Sequence, residues 1–121
     1  TDKFDLEDRL LDFAVRIIRV TETMKRTGAG LHIADQLPLW HLANGHHGEA
    51  ESAESRADFV HKLRICAKEL REARRWLRLV ARAQLVAKPQ LLTEILTEAD
   101  ELIRIFAASI RTAQNNKKTI K

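Results

Sequence analysis

Apolar residues recur every three to four positions along most of the chain, the period that predicts amphipathic helices. The pattern is clearest over residues 55–84. There Phe59, Leu63, Cys66, Leu70, Ala73, Leu77 and Val80 alternate spacings of four and three, a heptad seam. Arg64, Lys68, Arg71, Arg75, Arg78 and Arg82 keep the same spacing on the other side. If the seam occupies positions a and d, the six cations fall at b and f, the outermost positions. Ser55, with Asp58 three residues on, reads as a capped helix start. Nearly 30 residues at ~1.5 Å each predict a rod of roughly 40 Å. A second apolar strip of Ile65, Trp76 and Leu79 lies beside the seam. It fits either a subunit interface added to a core or a wider face in one core.

Three further segments follow the same logic. Residues 5–25 predict a first helix capped by Asp5, with Glu7 and Asp8 in the first turn and a seam of Leu6, Leu10, Phe13, Ile17, Val20 and Met24. Leu11, Ala14 and Ile18 add a second stripe, so this helix is expected to touch neighbours on two sides. Thr27-Gly28-Ala29-Gly30 reads as its stop. The second helix is expected as a short piece at 29–37. Pro38 then interrupts it, 38–45 is irregular or kinked, and helix resumes at about 46–53, where Glu49, Glu51 and Glu54 make the chain acidic. A brief connection from Leu85 to Pro89 favours antiparallel neighbours. Residues 89–115 predict the last helix, with a seam of Leu92, Leu96, Ala99, Ile103, Phe106, Ile110 and Ala113 broadened by Leu91, Ile95 and Leu102. A polar, basic tail is expected from about 115 to 121. The reading is therefore all-α: one domain, 1–121, folded as an antiparallel up-down four-helix bundle with its second helix kinked or interrupted near Pro38. Surplus apolar surface on several helices points to an oligomer.

Composition adds charge to this picture. The 121 residues carry a net charge of +4, with four glycines, two prolines and no tyrosine. Residues 55–84 hold nine Lys or Arg against three acids, whereas residues 1–23 hold six acids against four bases. A concentrated basic face suits a polyanion, and it also suits a solvated helix surface. One cysteine excludes an internal disulfide, and no apolar run has the length of a membrane span, so a cytoplasmic protein is expected.

Candidate chemistry is thin. His41, His46 and His47, with His32, Glu49 and Glu51 nearby, invite a metal reading, but no zinc signature is present and no metal or cofactor is expected. Cys66 lies in the seam, as a small hydrophobe does, and His61 falls on another part of the helix. No catalytic residue is assigned, and an enzyme is not expected. Glu69 and Glu72 are expected to pair with neighbouring cations, Glu72 with Lys68 or Arg75. Trp76 among Arg74, Arg75 and Arg78 fits packing or a base-stacking surface. Trp40 is read as capping the kinked segment or as partly exposed.

Several stretches together resemble one family. Residues 4–19, which begin Phe4-Asp5-Leu6-Glu7-Asp8-Arg9, resemble the opening helix of the bacterial four-helix-bundle proteins called 23S rRNA intervening-sequence proteins. His32-Ile33-Ala34-Asp35-Gln36-Leu37 resembles the start of that family's second helix. Residues 48–63 and 68–77 resemble its junction and long third helix, and Ala99-Asp100-Glu101-Leu102-Ile103-Arg104-Ile105-Phe106 resembles the fourth. Residues 38–47 depart from the family's usual Ser-rich pattern there. The resemblance implies a bundle that assembles into a ring, typically a homopentamer. It also implies kinship with the accessory variability proteins of diversity-generating retroelements, which bind nucleic acid and a reverse transcriptase. The expected function is non-enzymatic binding of RNA or DNA, largely without sequence preference, through Arg64, Lys68, Arg71, Arg75, Arg78 and Arg82. The alternative is a protein-interaction scaffold whose basic row meets an acidic partner or its own 49–54 segment in a neighbouring subunit.

Overall fold

The computed structural model describes residues 3–36 and 55–119, with side chains for 6–35 and 55–115. Among these described residues there are four helices, in the order α1 (Lys3–Thr23), α2 (Gly28–Gln36), α3 (Arg56–Arg82) and α4 (Pro89–Thr119). Among the described residues there is no strand. Residues 38–53, including the expected interruption near Pro38, lie outside them.

Helix α4 packs against both α1 and α3, and α2 packs against α3. The register fixes direction. Arg9 stands opposite Glu98, and Met24 is bridged through backbone to Val86, so α1 and α4 run antiparallel. Arg74 is ion-paired with Asp100, and the short link between residues 82 and 89 makes α3 and α4 antiparallel as well. Phe13, Ile17, Leu70, Leu77, Leu102 and Phe106 are completely buried at the centre. Each such side chain contributes about 1.5–3 kcal/mol over its exposed state.

The predicted seams of α1 and α3 are largely the buried faces, although Phe59 is only partly covered and Val60 is buried beside it. On α4 the buried line is rotated. Ile95 and Leu102 are sealed, while Leu96 and Ile103 stay partly open. A helix wedged between two neighbours centres its apolar stripe between them, and here that centre runs through Ile95, Ala99, Leu102 and Phe106.

Helix ends bring further corrections. α1 starts at Lys3, so Asp5 lies inside its first turn and is not the cap; an acid there suits the helix dipole equally. Thr27-Gly28-Ala29-Gly30 begins α2 as well as ending the preceding turn. The Thr27 hydroxyl accepts from Gly30 N–H at 3.1 Å, which makes Thr27 a cap of the second helix. α4 continues to Thr119 in place of a tail from residue 115. α3 begins as expected: the Ser55 hydroxyl accepts from Asp58 N–H at 3.1 Å.

The C-terminus of α3 closes on a residue that glycine usually supplies. Gln84 adopts φ 54°. Its N–H donates to Ala81 C=O and Leu85 N–H donates to Val80 C=O, each at 3.2 Å. This is the paired hydrogen-bond pattern of a Schellman cap, completed by the buried side chains of Val80 and Leu85. Leu85 C=O in turn accepts from Lys25 N–H at 2.9 Å. The α1–α2 and α3–α4 junctions are thereby tied together at one end of the bundle.

Candidate nucleic-acid interface

The cap at Ser55, the 27 uninterrupted residues of α3 and the closure at Gln84 make one continuous helix, and its rise sets the spacing of its charges. Arg64, Lys68, Arg71, Arg75, Arg78 and Arg82 are all exposed. They form one row of roughly 27 Å at 1.5 Å per residue, about half a turn away from the buried line Leu63–Cys66–Leu70–Ala73–Leu77–Val80.

Among the described residues none of the six has an ion pair. The interhelical carboxylates go to other cations. Arg9 meets Glu98 through two hydrogen bonds, of 2.7 and 3.1 Å, and reaches Glu101 at 3.2 Å. The hydrogen bonds that Arg9 donates to Glu98, then the charges of Glu98 and Glu101, push the Arg9 pKa further up from its already high value. Arg74, which lies beside the row without belonging to it, is ion-paired with Asp100.

One expectation about the acids on α3 is revised, and the other acid gains a placement. Glu72 is exposed and pairs with neither Lys68 nor Arg75. Glu69 is buried, at 8% exposure, on the side of α3 that turns inward. Its position one residue before Leu70 places it at the border of the core, which a seam read from apolar residues alone does not mark.

The strip of Ile65, Trp76 and Leu79 also has a definite placement. Ile65 and Trp76 are half-buried, and Leu79 is 45% exposed. Trp76 packs against the core cluster and also lines an open groove of about 610 Å³ together with Glu72, Arg75, Arg78, Leu79 and Arg82. Three cations of the row therefore share a concave surface with an aromatic ring and a leucine. At the other end of the row, Arg64 joins Arg56, His61 and Gln114 around a smaller pocket of about 200 Å³. Sequence reading missed this cluster. Arg56, His61 and Arg64 share a helix and had a spacing signal, but Gln114 arrives from α4 and had none.

Other candidates disperse. Cys66 is buried, and His61 and His32 are exposed. Among the described residues no three or more His, Cys, Asp or Glu side chains gather as a metal site. His41, His46, His47, Glu49, Glu51 and Trp40 lie outside the described residues. No helix among the described residues is long and apolar enough to cross a membrane.

No protein-family profile and no curated relative matches the chain. Among solved structures it is similar to a protein of unknown function from the S23 ribosomal protein family of Bacteroides thetaiotaomicron VPI-5482. The identity is 28%, the TM-score 0.78, and the match covers 92% of this chain and 99% of that one. Likeness over nearly the whole of both chains supports the bundle architecture.

Proposed function

We propose that this chain is a non-enzymatic member of the 23S rRNA intervening-sequence group that assembles into a ring and binds RNA or DNA through the α3 row. The observation that carries this reading is the row itself: six exposed cations along roughly 27 Å, without a carboxylate partner among the described residues. Such a surface gains its binding energy by neutralising phosphates and releasing counterions, so it reads charge and spacing ahead of base sequence. A ring multiplies the row by the number of subunits and raises avidity without a new kind of contact.

Binding to structured RNA and to duplex DNA across a salt series tests it. Six phosphate contacts on a duplex give a log–log salt slope near −5, a loss of about 10³-fold between 50 and 200 mM salt. Changing Arg71, Arg75 and Arg78 together to Glu should abolish binding at 150 mM salt. Full binding by that variant, or no salt-sensitive binding by the parent, removes the proposal.

A second reading is supported by a different surface. Leu11, Val15 and Ile18 lie along one face of α1 at spacings of four and three, exposed by 52, 42 and 44%. Among the described residues the second side of α1 is left uncovered. An apolar stripe of this kind serves protein contact, either between subunits of the ring or to a partner such as a reverse transcriptase or another acidic protein. The two readings use different helices and are compatible.

A further inference from the structure

We propose that the groove beside the row holds an unpaired base stacked on Trp76, so that the ligand is single-stranded nucleic acid. This rests on the reading of α3 as a nucleic-acid interface and names the substrate class.

The groove differs from the rest of the row in its chemistry. At its Arg64 end the row borders a smaller pocket with His61 and Gln114, which has no indole. From Glu72 onward, Trp76 and Leu79 add an apolar surface, flanked by Arg75, Arg78 and Arg82. Trp76 and Leu79 are three residues apart and Glu72 and Trp76 four, so all three lie on one side of the helix, with the arginines on the adjacent side. A strand laid here meets two environments at once: its phosphates face three guanidinium groups and its bases face the indole. The Glu72 carboxylate repels phosphate from the apolar side, which confines the backbone to the arginine side. A volume of about 610 Å³ falls in the range of sites that take small organic groups and leaves room for a planar base.

Trp76 is also suited to this task mechanically. Its packing on the core cluster holds the ring in place, so little side-chain freedom is lost when a base stacks. A duplex offers no such base, since its bases are already stacked and paired. An acidic peptide could satisfy the arginines, but its carboxylates bring no aromatic ring to the indole.

The test compares a base-bearing oligonucleotide with an abasic one of the same length, using the full chain with Trp40→Phe so that Trp76 is the sole tryptophan. The abasic strand keeps the phosphates and lacks the stacking partner. Expected are quenching of Trp76 fluorescence by the base-bearing strand alone and about 5- to 100-fold tighter binding of it, the range of one stacked base. Trp76→Leu keeps apolar packing and should erase that preference while leaving the salt slope unchanged. Arg78→Gln should reduce the single-strand slope by about 0.7 and keep the preference. Equal, salt-sensitive binding of both strands with no quenching overturns the stacking proposal and leaves the phosphate reading standing. No binding of either strand at low salt overturns both. Displacement of the base-bearing strand by poly-glutamate at equal charge concentration assigns the groove to an acidic peptide and overturns the base proposal.

Discussion

Gly30 offers a sharp test of how the bundle is closed, because two ordinary effects pull in opposite directions there. Gly30 lies in the first turn of α2, and replacing glycine by alanine in a helix normally stabilises by about 0.5–1 kcal/mol. A Cβ at residue 30, however, would fall on the carbonyl oxygen of Lys25, far inside van der Waals contact, and would also approach the Lys25 carbonyl carbon and the Thr27 hydroxyl at 3.3 Å each. None of these atoms can retreat freely. Thr27 Oγ1 is the acceptor that caps α2. Lys25 is anchored through its N–H to Leu85, and Leu85 is buried and bound within the α3 cap. Forcing a methyl group into a packed site costs about 1–3 kcal/mol, and loosening the Lys25–Leu85 hydrogen bond adds about 0.5–1.5 kcal/mol. Steric cost outweighs helix propensity, and Gly30→Ala should destabilise by about 1–3 kcal/mol.

Gly28, two residues earlier, supplies the control. An added Cβ there meets nothing within 4 Å, so Gly28→Ala should be neutral or stabilise by up to about 1 kcal/mol. Urea or thermal unfolding of the two variants reads the contrast, at roughly 3–5 °C per kcal/mol for a domain of this size. Amide exchange at Lys25 supplies a local readout and should lose protection in Gly30→Ala alone. If Gly30→Ala matches or exceeds the parent in stability, with Lys25 still protected, the account of this junction is wrong.

Three other sites yield predictions from the same structure. Gln84→Gly should raise stability by about 1 kcal/mol in urea unfolding, since φ 54° disfavours a side chain and suits glycine. Arg9→Ala should lower stability by about 1 kcal/mol, with Arg9→Lys recovering only part, because an ammonium cannot reproduce the two-pronged contact with Glu98. The contribution of the Arg9 charge is full below the unfolded pKa and is lost as pH rises from there through the raised folded value, a window beyond workable alkali, so stability measured against pH should show no alkaline step from this pair. Leu11→Asp combined with Ile18→Asp should convert the proposed ring to monomers in sedimentation while leaving helicity intact; an unchanged sedimentation coefficient would remove α1 from the interface.

What was readable beforehand divides along physical lines. Helix α3 was readable at both faces because its seam, its cap at Ser55 and its basic row are all local features, set by a single period. The six cations needed no tertiary information to be placed opposite Leu70 and Leu77. The α4 seam was readable only to within a neighbouring line: Leu96 and Ile95 are equally apolar, and the choice between them depends on where α1 and α3 sit. Gly30 looked like an end signal because glycine commonly ends helices. Its actual constraint is a carbonyl five residues back, which only the folded turn reveals. The burial of Glu69 was not legible for the same reason, since burial at a border depends on what lies across it.

The groove at Trp76 combines both kinds of information. Sequence spacing puts Trp76 and Leu79 beside the row and leaves open whether neighbouring helices cover them. The fold covers part of the indole and leaves Leu79 and the rest of the ring beside Arg75, Arg78 and Arg82. Covering the ring completely would leave the row as charge alone, indifferent to the form of the polyanion. Leaving it partly open would, on the proposed reading, add a contact that abasic strands lack, so discrimination between paired and unpaired nucleic acid would come from an apolar residue and salt dependence from the arginines. These two contributions would be separable by substitution because they reside in different side chains of one helix.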